Sequence, residues 1–167
     1  MKFKREHFCC SPKLLSNIPE ISEIEEAISN VAWTGQFRLE SDFKSYEHQT
    51  GYNKALAVEL HKRGWTLQPR LCDNPRLIGD AGKSGIFVEV QFGNSSALYR
   101  DYYKFHYGLQ KGLLSLAVLV VPTNPLQFFP TRPRSVANMA EYDLAYQYLK
   151  VLPIPVPILL IGLLPEN

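Results

Sequence analysis

The sequence predicts an α/β domain in which a central mixed β-sheet is flanked by α-helices. Three observations carry that expectation. Apolar residues recur at helical spacing in four separate segments, beginning near Ile21, Tyr52, Leu98 and Met139. Leu114 to Val121 is a nearly unbroken apolar run, the pattern of a strand buried on both faces. Between Leu77 and Phe92, two short apolar runs flank a turn of Ala81, Gly82, Lys83, Ser84 and Gly85, which reads as a β-hairpin.

At 167 residues the chain is expected to be a single domain, 1–167, large enough to bury a core. A hydrophobic content of 46% with 20% charged residues is ordinary globular composition, and a net charge of +2 does not by itself argue for a polyanionic partner. Three cysteines, Cys9, Cys10 and Cys72, form no C-x-x-C pair. They support neither a disulfide framework nor a zinc site, and a reducing cytoplasm fits them best. The first residues are charged, with no apolar core of signal-peptide length, and residues 1–19 are expected as a partly flexible N-terminal segment. Val151 to Leu164 carries three prolines and is too short to span a bilayer, so it is expected as a buried terminal strand and no membrane partner is implied.

In chain order, Ile21, Ile24, Ile28 and Val31 mark an amphipathic helix whose first turns carry Glu20, Glu23, Glu25 and Glu26, where the helix dipole favours negative charge. The segment from Thr34 to Gln49 is too mixed to assign. A second helix runs from about Tyr52 to Arg63 and ends at Gly64. Trp65 to Leu67 reads as a short strand, and Asn74-Pro75 as the turn before the hairpin. Gly82-Lys83-Ser84 has the look of the end of a phosphate-binding loop. The required first glycine would fall at Leu77, however, and a strand follows where that motif needs a helix. After Phe92, Ser95 and Ser96 can cap a helix whose apolar stripe is Leu98, Tyr102, Phe105 and Leu109. Its other side carries Tyr99, Arg100, Tyr103, Lys104, Tyr107 and Lys111, able to lie along a phosphate backbone or simply to be solvated. The proline-rich stretch from Thr123 to Asn138 holds Arg132, Arg134, Ser135 and Asn138, donors suited to base edges and phosphates. A helix with Met139, Tyr142, Tyr146 and Leu149 and the terminal strand close the chain.

The chemistry concentrates on the hairpin. Glu89 and Gln91 are two apart on a strand and share a face, and the hairpin returns Asp80 beside them. Two converging carboxylates make a hard, oxygen-rich site suited to Mg²⁺. On pattern alone the opposite reading stands equally, with Glu89 and Gln91 lining the wet face of an edge strand.

Asp80, eight intervening residues, then Glu89-Val90-Gln91, followed by a helix and a buried strand, resembles the PD-(D/E)XK nuclease core. With glutamine where most of that superfamily has lysine, the pattern resembles the BglII-type restriction endonucleases more closely. Val-Glu-Val-Gln-Phe-Gly-Asn at 88–94, Arg-Asp-Tyr-Tyr-Lys-Phe at 100–105, Asn-Met-Ala-Glu-Tyr at 138–142 and the Pro-Val-Pro-Ile-Leu-Leu-Ile-Gly ending are similar to that family too. The resemblance implies a restriction-endonuclease-like fold and a Mg²⁺-dependent type II site-specific deoxyribonuclease acting on a short palindrome in double-stranded DNA, with GATC within it. It implies Asp80 and Glu89 as metal ligands with the Val90 carbonyl, and Gln91 orienting the attacking water. Glutamine is neither a base nor a cation, which leaves the general base unassigned. Asn94 falls where a base-contacting asparagine is expected, Ser135 to Asn138 in a later recognition loop. With Ser95, Tyr99, Lys104, Arg132 and Arg134 they form the expected DNA-binding set. A homodimer, a cognate methyltransferase and a prokaryotic cytoplasmic setting complete the implication. Glu47, Asn53 and Glu59 remain open as further members of the metal site. The alternatives are a non-cleaving DNA-binding module on the same scaffold, and a repair or recombination nuclease without sequence specificity.

Overall fold

A computed structural model describes residues 1–41, 43–151 and 153–165. The chain begins with β1 (Lys2–Phe8), a one-turn helix α1 (Pro12–Leu15) and α2 (Pro19–Asn30). Residues 2–8, expected within a partly flexible segment, are instead an edge strand, antiparallel to the end of the chain from Lys2↔Leu164 to Phe8↔Ile158. The segment that resisted assignment holds a single 3₁₀ turn (Gly35–Phe37) and an antiparallel hairpin of β2 (Arg38–Ser41) and β3 (Lys44–Glu47). Its exposed faces leave no apolar alternation to read.

The second helix, α3 (Gln49–Lys62), leads through the positive-φ Gly64 to β4 (Thr66–Leu67). Next come β5 (Arg70–Cys72) and β6 (Leu77–Ile78), which pair only with each other. The hairpin that carries Glu89 is shorter than its sequence suggested. It consists of β7 (Ala81–Lys83) and β8 (Ile86–Val90), so Ala81, Gly82 and Lys83 are strand rather than turn. Only Ser84 and Gly85 reverse the chain, both at positive φ, as a two-residue hairpin loop demands. Leu77 and Ile78 belong to the other small sheet.

α4 (Ala97–Gln110) crosses back to β9 (Leu116–Pro122). Two short helices, α5 (Pro125–Phe128) and α6 (Pro133–Val136), then α7 (Tyr142–Val151), lead to β10 (Ile158–Leu164). The main sheet has the order β1-β10-β9-β8-β7-β4, with β8, β9 and β10 parallel and the remaining pairs antiparallel. Every residue of β9 is buried, as expected of a central parallel strand.

Two apolar layers cover the sheet. One packs Ile21, Ile24 and Ile28 of α2 and Tyr52, Leu56 and Leu60 of α3 against Val88, Val118, Val120 and Ile161. The other packs Leu98 and Phe105 of α4 and Ala145 and Leu149 of α7 against Ala117, Leu119, Val121 and Leu160. A cluster of aromatic rings around Trp33, with Phe37, Tyr52, Phe92, Phe128 and Phe129, seals the end of β8 where the chain leaves the sheet. Among the described residues no helix is long and apolar enough to cross a membrane.

Candidate active site

β8 lies between β7 and β9, so it is an interior strand and not an edge. Glu89 is only 4% exposed and Gln91 only 9%, which removes the wet-edge reading of this pair. A buried carboxylate needs a partner. Lys104 of α4 supplies it, with Nζ 2.6 Å from Glu89 Oε2. The same ammonium lies 2.9 Å from Asp101 Oδ1 and donates to the Ile78 carbonyl at 3.3 Å. Asp101, fully buried, accepts at 2.6 Å from Gln91 Nε2, and Gln91 Oε1 accepts the Gly93 N–H at 2.8 Å. The glutamine amide is thus held at both ends. Gly79 leaves room for this arrangement, since a Cβ there would lie 3.3 Å from Glu89 Oε1.

Asp80 sits at the mouth of the same cleft, where Oδ2 accepts the Val90 N–H at 2.7 Å. This bond ties the carboxylate to the residue after Glu89. Solvent reaches Asp80, yet the surrounding protein strips enough water that desolvation raises its carboxyl above the ordinary range, against the pull of Val90 N–H and Lys104. Glu89 is pushed up to about 8, first by burial and then by the nearby Asp80 charge, with Lys104 opposing. A carboxyl raised by a neighbouring carboxylate, as Glu89 is by Asp80, gains from a divalent cation placed between them. The cleft holds about 310 Å³ and is lined by Asp80, Glu89, Val90, Gln91, Arg100 and Lys104 with Arg76, Leu77 and Ile78. Among the described residues no three His, Cys, Asp or Glu side chains cluster as a ready-made metal cage. An ion held by Asp80 and Glu89 would complete its shell with main-chain oxygen and water, which suits Mg²⁺ better than a softer metal.

Of the three further residues left open for the metal site, two are engaged elsewhere. Burial alone would raise the Glu47 carboxyl, but hydrogen bonds from Thr131 and the charge of Arg38 hold it below the usual range. Glu59 pairs with Lys62 and Arg63 on its own helix. Asn53 lines a second cleft of about 440 Å³ that shares Asp80 and Val90 with the first.

The expected DNA-contacting residues divide. Asn94 forms a β-bridge with Met139, Ser95 N–H donates to the Asn138 carbonyl at 2.7 Å, and Ala140 N–H donates to Gly93 at 2.8 Å. The exposed Asn94 and Asn138 therefore come together beyond the end of β8. Asn94 Oδ1 also accepts the Ser96 N–H in the turn before α4, whose N-cap Ser96 makes no side-chain capping bond. Arg132 is turned inward, its guanidinium over the Tyr46 and Phe129 rings and bonded to the Glu47 carbonyl and Ser135 Oγ. Arg134 is exposed. Tyr99 stacks on Tyr148 and bonds its hydroxyl. Lys104, expected on the outer face of its helix, is 4% exposed and faces Glu89 on β8.

Sequence reasoning missed Asp101. Its signal was present, because Leu98, Asp101, Phe105 and Gly108 recur at helical spacing on the buried face. A carboxylate within that stripe must meet a partner.

Comparison with known proteins agrees with this architecture. The family described as restriction endonuclease BglII/BglIII matches residues 8–163. A crystal structure of restriction endonuclease BglII complexed with a DNA 16-mer superposes with a TM-score of 0.79 at 20% identity, covering 99% of this chain and 79% of that one. Free BglII gives 0.69 at 22% identity, covering 99% and 81%. No curated protein matches the sequence closely enough to add a relative. Restriction endonucleases generally use divalent metal ions. The Asp80, Glu89 and Gln91 cluster thus stands in a nuclease scaffold over nearly the whole length of the chain, and the chain belongs to the BglII/BglIII family of type II restriction endonucleases.

Proposed function

We propose that this endonuclease hydrolyses DNA with Mg²⁺ held by Asp80, Glu89 and the Val90 carbonyl, and reads its site through Asn94 and the Ser135 to Asn138 segment. The observation that carries this reading is the meeting of Asp80 and Glu89 in one cleft whose wall continues, through Gly93, into the Asn94 and Asn138 contact. An ion held by these groups would supply activation of a water and polarisation of the scissile phosphate.

The protein's own groups prepare that site. Val90 N–H fixes the Asp80 carboxylate, Lys104 fixes Glu89, and Asp101 with Gly93 fixes the Gln91 amide. In this reading Gln91, unable to act as base or cation, orients the attacking water from the cleft wall. Asparagine is suited to bidentate contact with adenine N6 and N7, which fits Asn94 and Asn138 at exposed positions. Arg134 and Tyr99, both exposed, are assigned to the phosphate backbone. The working form is a homodimer reading a palindrome that contains GATC, paired in a prokaryotic cytoplasm with a methyltransferase of the same specificity. These last features rest on the family resemblance.

A digest of unmethylated plasmid DNA with Mg²⁺ and with EDTA, with the fragment ends sequenced, tests the reading. Discrete, Mg²⁺-dependent fragments ending at one short palindrome are expected. Binding without cleavage would favour a non-cutting module, and a smear would deny site specificity.

A further inference from the structure

The family pattern places glutamine where a nuclease of this superfamily usually presents a lysine, and here that glutamine is occupied. Its Nε2 bonds Asp101 and its Oε1 bonds Gly93. The cleft nevertheless holds an ammonium. It arrives from α4, one helix away in sequence, and packs against the catalytic strand from the side. Lys104 Nζ is 2.6 Å from Glu89 Oε2 and 2.9 Å from Asp101, bonds the Ile78 carbonyl beside Asp80, and is only 5% exposed as a side chain.

We infer that Lys104, aligned by Asp101, is a positioning residue of the catalytic centre that supplies, through Glu89, the fixed positive charge the Glu-Val-Gln strand lacks, and that it is not a DNA-backbone contact. The inference rests on the proposed metal site. The Lys104 ammonium bridges the buried carboxylates of Glu89 and Asp101, and its charge together with that of Arg100 acts on Asp80 at the mouth of the cleft. One oxygen of Glu89 is engaged by that ammonium, so the carboxylate cannot rotate freely. The other lies against Gly79, beside Asp80 in the chain. Asp101 joins the two halves of the arrangement, since one of its oxygens meets Lys104 and the other meets Gln91. The lysine orients the metal-binding carboxylate, and Asp101 couples that orientation to the strand end where Gly93 leads into Asn94.

The test compares wild type with Lys104→Met, Lys104→Arg and Asp101→Asn. Single-turnover cleavage of the cognate duplex is measured in Mg²⁺, and duplex binding is measured in EDTA across a range of salt. Lys104→Met should lose at least about 100-fold in rate, while its affinity and the slope of binding against salt stay as in wild type. Lys104→Arg, which keeps the charge, should recover at least about tenfold of that loss, and Asp101→Asn should fall between the two. A salt slope lowered by about one, with affinity lost equally on all sequences, would make Lys104 a phosphate contact and overturn the inference. A Lys104→Met rate within threefold of wild type would overturn it too, as would equal rates for Met and Arg. If Lys104→Met does not fold, the rate and salt slope of Lys104→Arg and Asp101→Asn decide in its place. An Asp101→Asn rate equal to wild type would then refute the coupling. A wild type that cuts nothing in Mg²⁺ overturns the nuclease reading itself and this inference with it, an outcome distinct from a variant failing beside an active wild type.

Discussion

Glu89→Ala is the perturbation whose two effects separate most cleanly, because the structure makes the loss large for chemistry and moderate for folding. Truncation removes one of the two carboxylates assigned to the metal. Metal-supplied stabilisation of a transition state is several kcal/mol; a loss of about 4 kcal/mol corresponds to roughly a thousandfold in rate. Orphaning a buried charge outright would cost about 3–5 kcal/mol in stability. Lys104, however, keeps Asp101 at 2.9 Å and the Ile78 carbonyl at 3.3 Å, and it lines a cleft that water enters. The cost to folding should therefore stay near about 1–3 kcal/mol, the range for a polar group left partly unsatisfied. Single-turnover cleavage of an end-labelled cognate duplex measures the first effect, and thermal unfolding with duplex binding in EDTA measures the second. A folded Glu89→Ala protein cutting within tenfold of wild type would refute the metal assignment. Loss of the fold in both Glu89→Ala and the isosteric Glu89→Gln would show that the carboxylate is chiefly structural.

Four further outcomes are expected. Because burial and the Asp80 charge push the Glu89 carboxyl up to about 8, Mg²⁺ binding near neutral pH should release protons; calorimetry in two buffers of different ionisation heat reads this directly, and a heat independent of buffer would contradict it. The same shift sets the sign of a stability change: the folded protein keeps a proton that the unfolded chain loses near 4.5, so the contribution of Glu89 to metal-free stability falls as pH rises from about 4.5 to 8. A melting series in which Glu89→Gln leaves that slope unchanged would remove Glu89 as its source. Asn94→Ala should relax discrimination at one base pair by about 1–3 kcal/mol, and an unaltered preference in a cleavage survey of variant sites would deny it a base contact. Gly162→Ala should destabilise by about 1–3 kcal/mol without touching the cleft, because its Cβ would lie 2.4 Å from the Tyr142 ring and 2.8 Å from the Thr123 methyl; an unchanged melting temperature would show that α7 moves aside freely.

Much of the scaffold was legible because its signals are periodic. Ile21, Ile24 and Ile28 mark a helix by spacing alone, and the apolar run through Val118 and Val120 can only be a buried strand. The segment around β2 and β3 was opaque for the converse reason. Its side chains are mostly exposed, so no apolar alternation records the pairing, and its inward group, Glu47, is buried by contacts with Thr131 and Arg132 more than eighty residues away. The hairpin turn is shorter than its residues suggest because Ala81 and Gly82 read as turn formers, whereas β4 and β8 on either side hold them in the sheet. Tertiary pairing outweighed local propensity there.

Within the active site the same division holds. Asp80, Glu89 and Gln91 were legible from sequence because a strand alternates strictly and a hairpin brings neighbours together, which are local geometric facts. That Glu89 is buried, that Lys104 faces it rather than the DNA-facing surface, and that Asp101 joins Lys104 to Gln91 depend on how α4 is rotated against β8. Both Asp101 and Lys104 are polar, and a helical wheel sends polar residues outward by default. The preference reverses only when a partner charge waits on the neighbouring element, and that partner is set by packing between segments that no local pattern specifies. Sequence by itself placed Asp80, Glu89 and Gln91 together on one hairpin. Tertiary structure alone decided which charge stands beside it, because the energy of a buried ion pair belongs to the contact and to neither residue.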